Sequence, residues 1–233
     1  METIVLCELP DPEIEGLESF SPFCLKVHRA LRLQKRPYER RFGRSPASFS
    51  SLNPLSKVPV LLIGDEVVCD STRILQRLQV PGNGESKLWE DYADTTMAGF
   101  NAASRWACDK NWPRIKNAFF GAMPGPLRAF LPARFRRRVI RGLKIREIWD
   151  AGPDACWLRF SQMLDHLSQR APEKGFWMGD TITVADLGIF SQLHSMRIAL
   201  TPWQSEEIAK RAKLTAYLER VDRATSNDQQ EQG

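Results

Sequence analysis

Ser21-Pro22 follows an apolar run, Thr3-Ile4-Val5-Leu6-Cys7, and opens an amphipathic segment that carries Phe23, Val27, Ala30 and Leu31 on one face. Serine is a favoured helix cap, and proline fits the first helical position because its missing N–H would be unpaired there in any case. The chain therefore begins strand, loop, capped helix. Further punctuation continues the alternation. Tyr38 to Phe42 reads as a short strand, Arg44 to Leu55 as a Ser-rich loop, and Val58 to Ile63 as an apolar strand. The Gly64-Asp65 turn then leads into a strand over Glu66 to Cys69, so this pair reads as an antiparallel hairpin. Ser71 to Leu78 reads as a short helix. This order predicts a mixed α/β sheet with helices on its faces over residues 1–80.

Val80-Pro81-Gly82-Asn83-Gly84 is the clearest linker, and strand signals vanish after it. Ser86 to Ala118, Arg134 to Ile148, Asp154 to Gln169, Val184 to Met196 and Ser205 to Thr225 all read as helices, with Pro and Gly in the breaks. Residues 86–225 thus read as a second, all-helical domain. The polar stretch after Arg223 reads as a frayed tail. In Gly179-Asp180-Thr181-Ile182-Thr183-Val184-Ala185-Asp186, Thr183 is a cap with Asp186 three residues on. Ile182 and Leu187 flank them as a hydrophobic staple. That cap is a stability feature, with an expected contribution of about 1 kcal/mol.

Composition excludes several classes. Hydrophobic residues make up 42% and charged residues 26% of the 233, which is enough apolar material for a core and too little charge for a disordered chain. Cys7, Cys24, Cys69, Cys108 and Cys156 are odd in number, widely spaced and never C-x-x-C, which argues against a disulfide framework or a zinc site and fits a reducing, cytoplasmic compartment. Glu8 interrupts the one apolar run near the start, so no signal peptide is read, and no run is long enough for a membrane span. His28, His166 and His194 are scattered and suggest neither a metal site nor a triad. The net charge of +5 concentrates between Arg128 and Arg146, where eight cations occur without an acid. Such a patch suits nucleic acid, anionic lipid or an acidic ligand. The stretch reads instead as a solvated helix face with arginine stems over apolar neighbours, and no nucleic acid is expected as a partner, since no nucleic-acid motif and no base-stacking stripe accompanies it.

The order strand, Ser-Pro helix, Val-Pro strand, Asp-Ser helix, with the capping box of the second half, resembles the soluble glutathione transferases of the serine type. The resemblance covers about residues 3 to 220 and is loosest over Gly121 to Arg146. It implies a thioredoxin-like glutathione-binding domain, an all-helical substrate domain, a homodimer, and glutathione as co-substrate without a metal. It also implies a role for each motif. Ser21, at a helix start rich in unpaired N–H groups, would stabilise the glutathione thiolate. Val58, before a cis Pro59, would pair its backbone with the cysteinyl part of the peptide. Asp70 would meet the γ-glutamyl ammonium, although family members more often have Glu or Gln there, and Ser71 would meet its carboxylate. Lys57 would reach the glycyl carboxylate. Trp106, Trp112, Phe119 and Phe120 would wall an apolar electrophile.

Each residue also has a plainer explanation: Ser21 as a simple cap, Pro59 as a strand opener, Lys57 as a solvated loop lysine, the aromatics as core. Cys24, one turn inside the helix, reads as packing. The competing functions are a glutathione-dependent thiol reductase using Cys24, and a non-catalytic interaction module that keeps the fold.

Overall fold

The computed structural model describes residues 2–226. Its first half is a four-stranded sheet in the order β2-β1-β3-β4, built from β1 (Ile4–Glu8), β2 (Glu39–Phe42), β3 (Val60–Ile63) and β4 (Glu66–Cys69). β1 runs parallel to β2, as a strand–helix–strand crossover requires, and α1 (Pro22–Leu33) makes that crossover. β1 and β3 are antiparallel with Cys7 opposite Val60, and the hairpin sets Val60 opposite Cys69. All five residues of β1 are buried, so this strand lies covered on both faces; Ile4 to Cys7 form an apolar run closed by the buried Glu8.

One face of the sheet (Ile4, Leu6, Leu61, Ile63) packs on α1 through Val27, Ala30 and Leu31, and on α2 (Ser71–Arg77) through Ile74 and Leu75. On the other face Cys7 and Val60 meet Phe49. Phe49 ends a 3₁₀ turn, Pro46–Phe49, inside the segment expected to be a plain loop.

The second half is helical: α3 (Gly84–Tyr92), α4 (Ala98–Ala102), α5 (Trp112–Phe120), α6 (Gly125–Ile145), α7 (Gly152–Arg170), α8 (Val184–His194), α9 (Pro202–Ala209) and α10 (Ala212–Thr225). π-helical turns at Ala93–Met97 and Ala103–Ala107 flank α4 and keep α3 and α4 one continuous rod. α8 is buried from Val184 through Leu193 and is apolar on all sides, as a central helix must be. The thioredoxin-like sheet plus all-helical region expected from the sequence is the fold observed.

Helix bounds differ from the expectation in four places. The rod ends at Ala107 and α5 starts afresh at Trp112, because Pro113 lacks the N–H needed to continue the helix. α6 begins at Gly125, nine residues ahead of Arg134, and carries Pro132 in its interior. The last helical stretch is two helices, broken at Lys210 and Arg211. α10 continues through Thr225, so Ala224 and Thr225 are not tail, and residues 227–233 lie outside the described region.

The Thr183 capping box is formed, with Asp186 Oδ2 accepting from the Thr183 N–H at 2.9 Å. Asp186 does more than cap. Its Oδ1 accepts from the Trp177 N–H at 2.7 Å and from the Tyr217 hydroxyl at 2.8 Å, and the carboxylate is fully buried. One side chain thus ties the start of α8 to α10 and to the loop before it.

Candidate functional site at the end of the sheet

The strand register decides where the three motifs fall. Cys7 at the end of β1, Val60 at the start of β3 and Cys69 at the end of β4 lie side by side across the sheet. Pro59 immediately precedes Val60 and Asp70 immediately follows Cys69. The chain leaving β1 at Glu8 returns to start α1 at Ser21. Ser21, Val58-Pro59 and Asp70-Ser71 therefore share one end of the sheet although up to fifty residues separate them in sequence.

Ser21 is the N-cap of α1, with its Oγ accepting from the Cys24 N–H at 3.3 Å and its own N–H donating to Ser19 Oγ at 3.2 Å. It is 9% exposed. The Val58–Pro59 peptide is cis. Among the described residues the Val58 backbone takes part in no ladder or turn bond. Lys57 is exposed, and its carbonyl accepts from Asn53 Nδ2 at 2.9 Å. Asp70 is exposed, has φ +79, and caps α2: Oδ1 accepts from the Thr72 N–H at 3.0 Å and the Arg73 N–H at 3.3 Å. Both bonds use Oδ1, and among the described residues Oδ2 has no hydrogen-bond partner. Ser71 is 4% exposed behind it.

Behind Ser21 stands a buried polar network with Glu8 at its centre. Glu8 accepts from Ser19 Oγ at 2.7 Å and from Arg40 Nε at 2.6 Å, and meets His28 Nε2 at 2.9 Å. His28 Nδ1 in turn meets the Tyr38 hydroxyl at 2.7 Å. Burial pushes the Glu8 carboxyl up, but His28, Arg40 and Ser19 more than reverse this, and it ionises below the ordinary carboxylate range. The Glu8–Ser19–Ser21 chain fixes the approach to α1. Cys24 is fully buried, and burial and the Glu8 charge push its thiol far above the ordinary range. That environment favours the thiol over the thiolate.

Sequence reasoning missed Glu8, His28 and Arg105. Arg105 is 4% exposed and has no carboxylate partner among the described residues; Nη1 donates to the Phe20 carbonyl at 2.6 Å and Nη2 to the Ser195 carbonyl at 3.0 Å. Burial lowers its pKa to about 10. It thereby clamps the residue before Ser21 to the end of α8. Its one sequence signal was a charge inside the apolar stretch from Phe100 to Ala107.

The four aromatics do converge. Trp106 meets Phe119 at 4.9 Å and lies 6.2 Å from both Trp112 and Phe120, and Phe20, next to Ser21, lies 4.4 Å from Phe119. The aromatic wall of the helical half therefore reaches the head of α1.

A mixed sheet with its loop cluster at one end, set against a helical region whose aromatic cluster reaches that end, defines a two-part fold. The family model described as "Glutathione S-transferase, N-terminal domain" matches residues 20–79, and "Glutathione S-transferase, C-terminal domain" matches residues 145–220, together more than half of the chain. The chain belongs to the glutathione S-transferase superfamily. No curated protein sequence matches it.

Among solved structures it is similar to a glutathione S-transferase from Rhodospirillum rubrum F11 at 18% identity and TM-score 0.60, over 94% of this chain and 88% of that one. A transferase from Methylobacterium radiotolerans in complex with glutathione sulfonate is 18% identical with TM-score 0.57, over 94% and 90%. One from Burkholderia graminis, with two glutathione molecules bound per subunit, is 19% identical with TM-score 0.56, over 100% and 90%. At these identities the likeness is one of fold.

Proposed function

We propose that the chain is a glutathione transferase of the serine type, joining glutathione to an apolar electrophile. The observation that carries this reading is the register: it sets Ser21, the free backbone of Val58 and the capped turn at Asp70-Ser71 at one end of the sheet. Ser21 Oγ accepts from within α1, which leaves the hydroxyl proton to donate outward to a sulfur. Together with the N-terminal dipole of α1, that donor stabilises the thiolate, which then attacks the electrophilic carbon as the leaving group departs. Each pKa unit by which the thiol is lowered requires about 1.4 kcal/mol of such stabilisation. Val58 pairs with the cysteinyl backbone, Asp70 Oδ2 with the γ-glutamyl ammonium, Ser71 with its carboxylate, and Lys57 with the glycyl carboxylate.

Phe20, Trp106, Trp112, Phe119 and Phe120 form the wall for the second substrate. The neighbours that hold glutathione or its sulfonate support the co-substrate, and no metal takes part in the reading. The five free cysteines fit a reducing, cytoplasmic setting. A homodimer acting in detoxification completes the reading. Burial of Cys24 weighs against the reductase alternative.

The test is calorimetric titration with glutathione, followed by thiolate absorbance of the complex against pH in the parent chain and in Ser21→Ala. We expect the substitution to raise the thiol pKa and slow conjugation while affinity falls little. Absence of heat at millimolar glutathione would refute the reading, and an unchanged thiol pKa would remove Ser21 from the mechanism. Binding without turnover of any electrophile would leave a non-catalytic module.

A further inference from the structure

Residues 110–146 contain no Asp or Glu, and α6 occupies most of that stretch. The two family models leave residues 80–144 unmatched, which takes in all of α6 but its last residue. α6 has two unlike faces. Inward, Pro132 and Leu143 are buried, Val139 and Ile140 join the helical core, and Phe135 lies 4.8 Å from Trp106. Arg136 fastens that face: Nε donates to the Trp106 carbonyl at 2.7 Å, and Nη2 meets Asp109 Oδ1 at 2.5 Å.

The outward face repeats every three or four residues and runs from Leu127 and Phe130, through Arg134, Arg137, Arg138 and Arg141, to Ile145. Leu127 is 42%, Phe130 55% and Ile145 78% exposed, and the four arginines are exposed between them. Among the described residues, none of the four forms an ion pair. A face kept for solubility would mix acids with bases and leave out large apolar groups. This one has a single sign of charge flanked by apolar side chains, which is the make-up of a helix that lies in a lipid headgroup layer.

We propose that the outward face of α6 docks the protein on an anionic phospholipid bilayer. The arginines pair with headgroup phosphates and Leu127, Phe130 and Ile145 enter the acyl boundary. Two of the three apolar residues, Leu127 and Ile145, give bases nothing to stack on, and a single aromatic, Phe130, makes no stacking stripe, which favours lipid over nucleic acid. Phe135 links the same helix to the aromatic wall, so docking would bring that wall close to the bilayer.

The test sediments the full chain with phosphatidylcholine vesicles, alone or with about a third phosphatidylglycerol, and titrates duplex DNA separately. We expect binding to the mixed vesicles that falls with salt, and none to phosphatidylcholine alone. The Arg137→Ala/Arg138→Ala pair should weaken partitioning about 30-fold, and Phe130→Ser about tenfold. All three positions are exposed, and circular dichroism and melting checks that each variant keeps the parent's fold. Failure of the parent to bind anionic vesicles at low salt would overturn the proposal, as would an arginine pair variant that binds like the parent. Tighter binding to DNA than to vesicles, indifferent to Phe130→Ser, would also overturn it and assign the face to nucleic acid.

Discussion

Asp70 caps α2 through Oδ1, and in the proposed function its Oδ2 meets the ligand ammonium. Asp70→Asn keeps a capping oxygen and tolerates the positive φ, but loses the charge. We expect glutathione binding to weaken by roughly 1.5–3 kcal/mol, the size of a hydrogen bond to a charged group, with the melting temperature nearly unchanged. Asp70→Ala should lose both, about 1 kcal/mol of stability included. Calorimetry and thermal melting of the two variants separate the roles; equal binding by Asn and parent would take the charge out of recognition. Ser21, Asp70 and Ser71 were legible because a cap declares itself within three residues. Glu8, His28 and Arg105 were not, because their meaning depends on partners between 10 and 90 residues away.

At the scale of elements, β1 and α1 are joined through the Glu8 network. The sign of its pH dependence follows from the direction of the shift. The folded Glu8 ionises below the ordinary carboxylate range, so its contribution is fully present above the unfolded value, near about 4.3. It is lost as pH falls through the folded value. We expect the stability difference between the parent and Glu8→Gln to shrink as pH drops below about 4.3, measured by urea unfolding across that range. A gap independent of pH would sink this account.

The start of α8 carries a larger effect than its motif implied. A capping box alone is worth about 1 kcal/mol. Asp186 also serves Trp177 and Tyr217 while buried. Asp186→Ala loses the cap, about 1 kcal/mol, and leaves two donors unpaired in the core at about 1–3 kcal/mol each, so we expect a loss of at least about 3 kcal/mol. Denaturant midpoints would measure it, and a loss of only cap size would show the extra bonds to be idle.

For the whole molecule, the linker at Val80–Gly84 does not mark a break in the core. Leu25 of α1 packs in the helical core, and Ile182, Val184 and Leu187 pack in the core of the sheet. Lys26, fully buried in α1, pairs with Glu90 at 2.6 Å and Asp94 at 2.7 Å across the same boundary. Removing residues beyond 80 would expose this apolar side of α1 and take away both carboxylate partners of Lys26. We expect a fragment of residues 1–80 to lack cooperative unfolding, and the full chain to unfold in one transition by circular dichroism and tryptophan fluorescence alike. Two separated transitions would count against a shared core. The sequence alone determined the kinds of element, their order, their caps and the pairing of a sheet-containing half with a helical one. Such features rest on periodicity and on bonds that span a few residues. Tertiary structure alone decided that three separate motifs meet at one end of the sheet, that Cys24 is fully buried while Ser21 is 9% exposed, and that both halves share their cores. These depend on strand register and on burial, which are set by contacts between residues far apart in the chain.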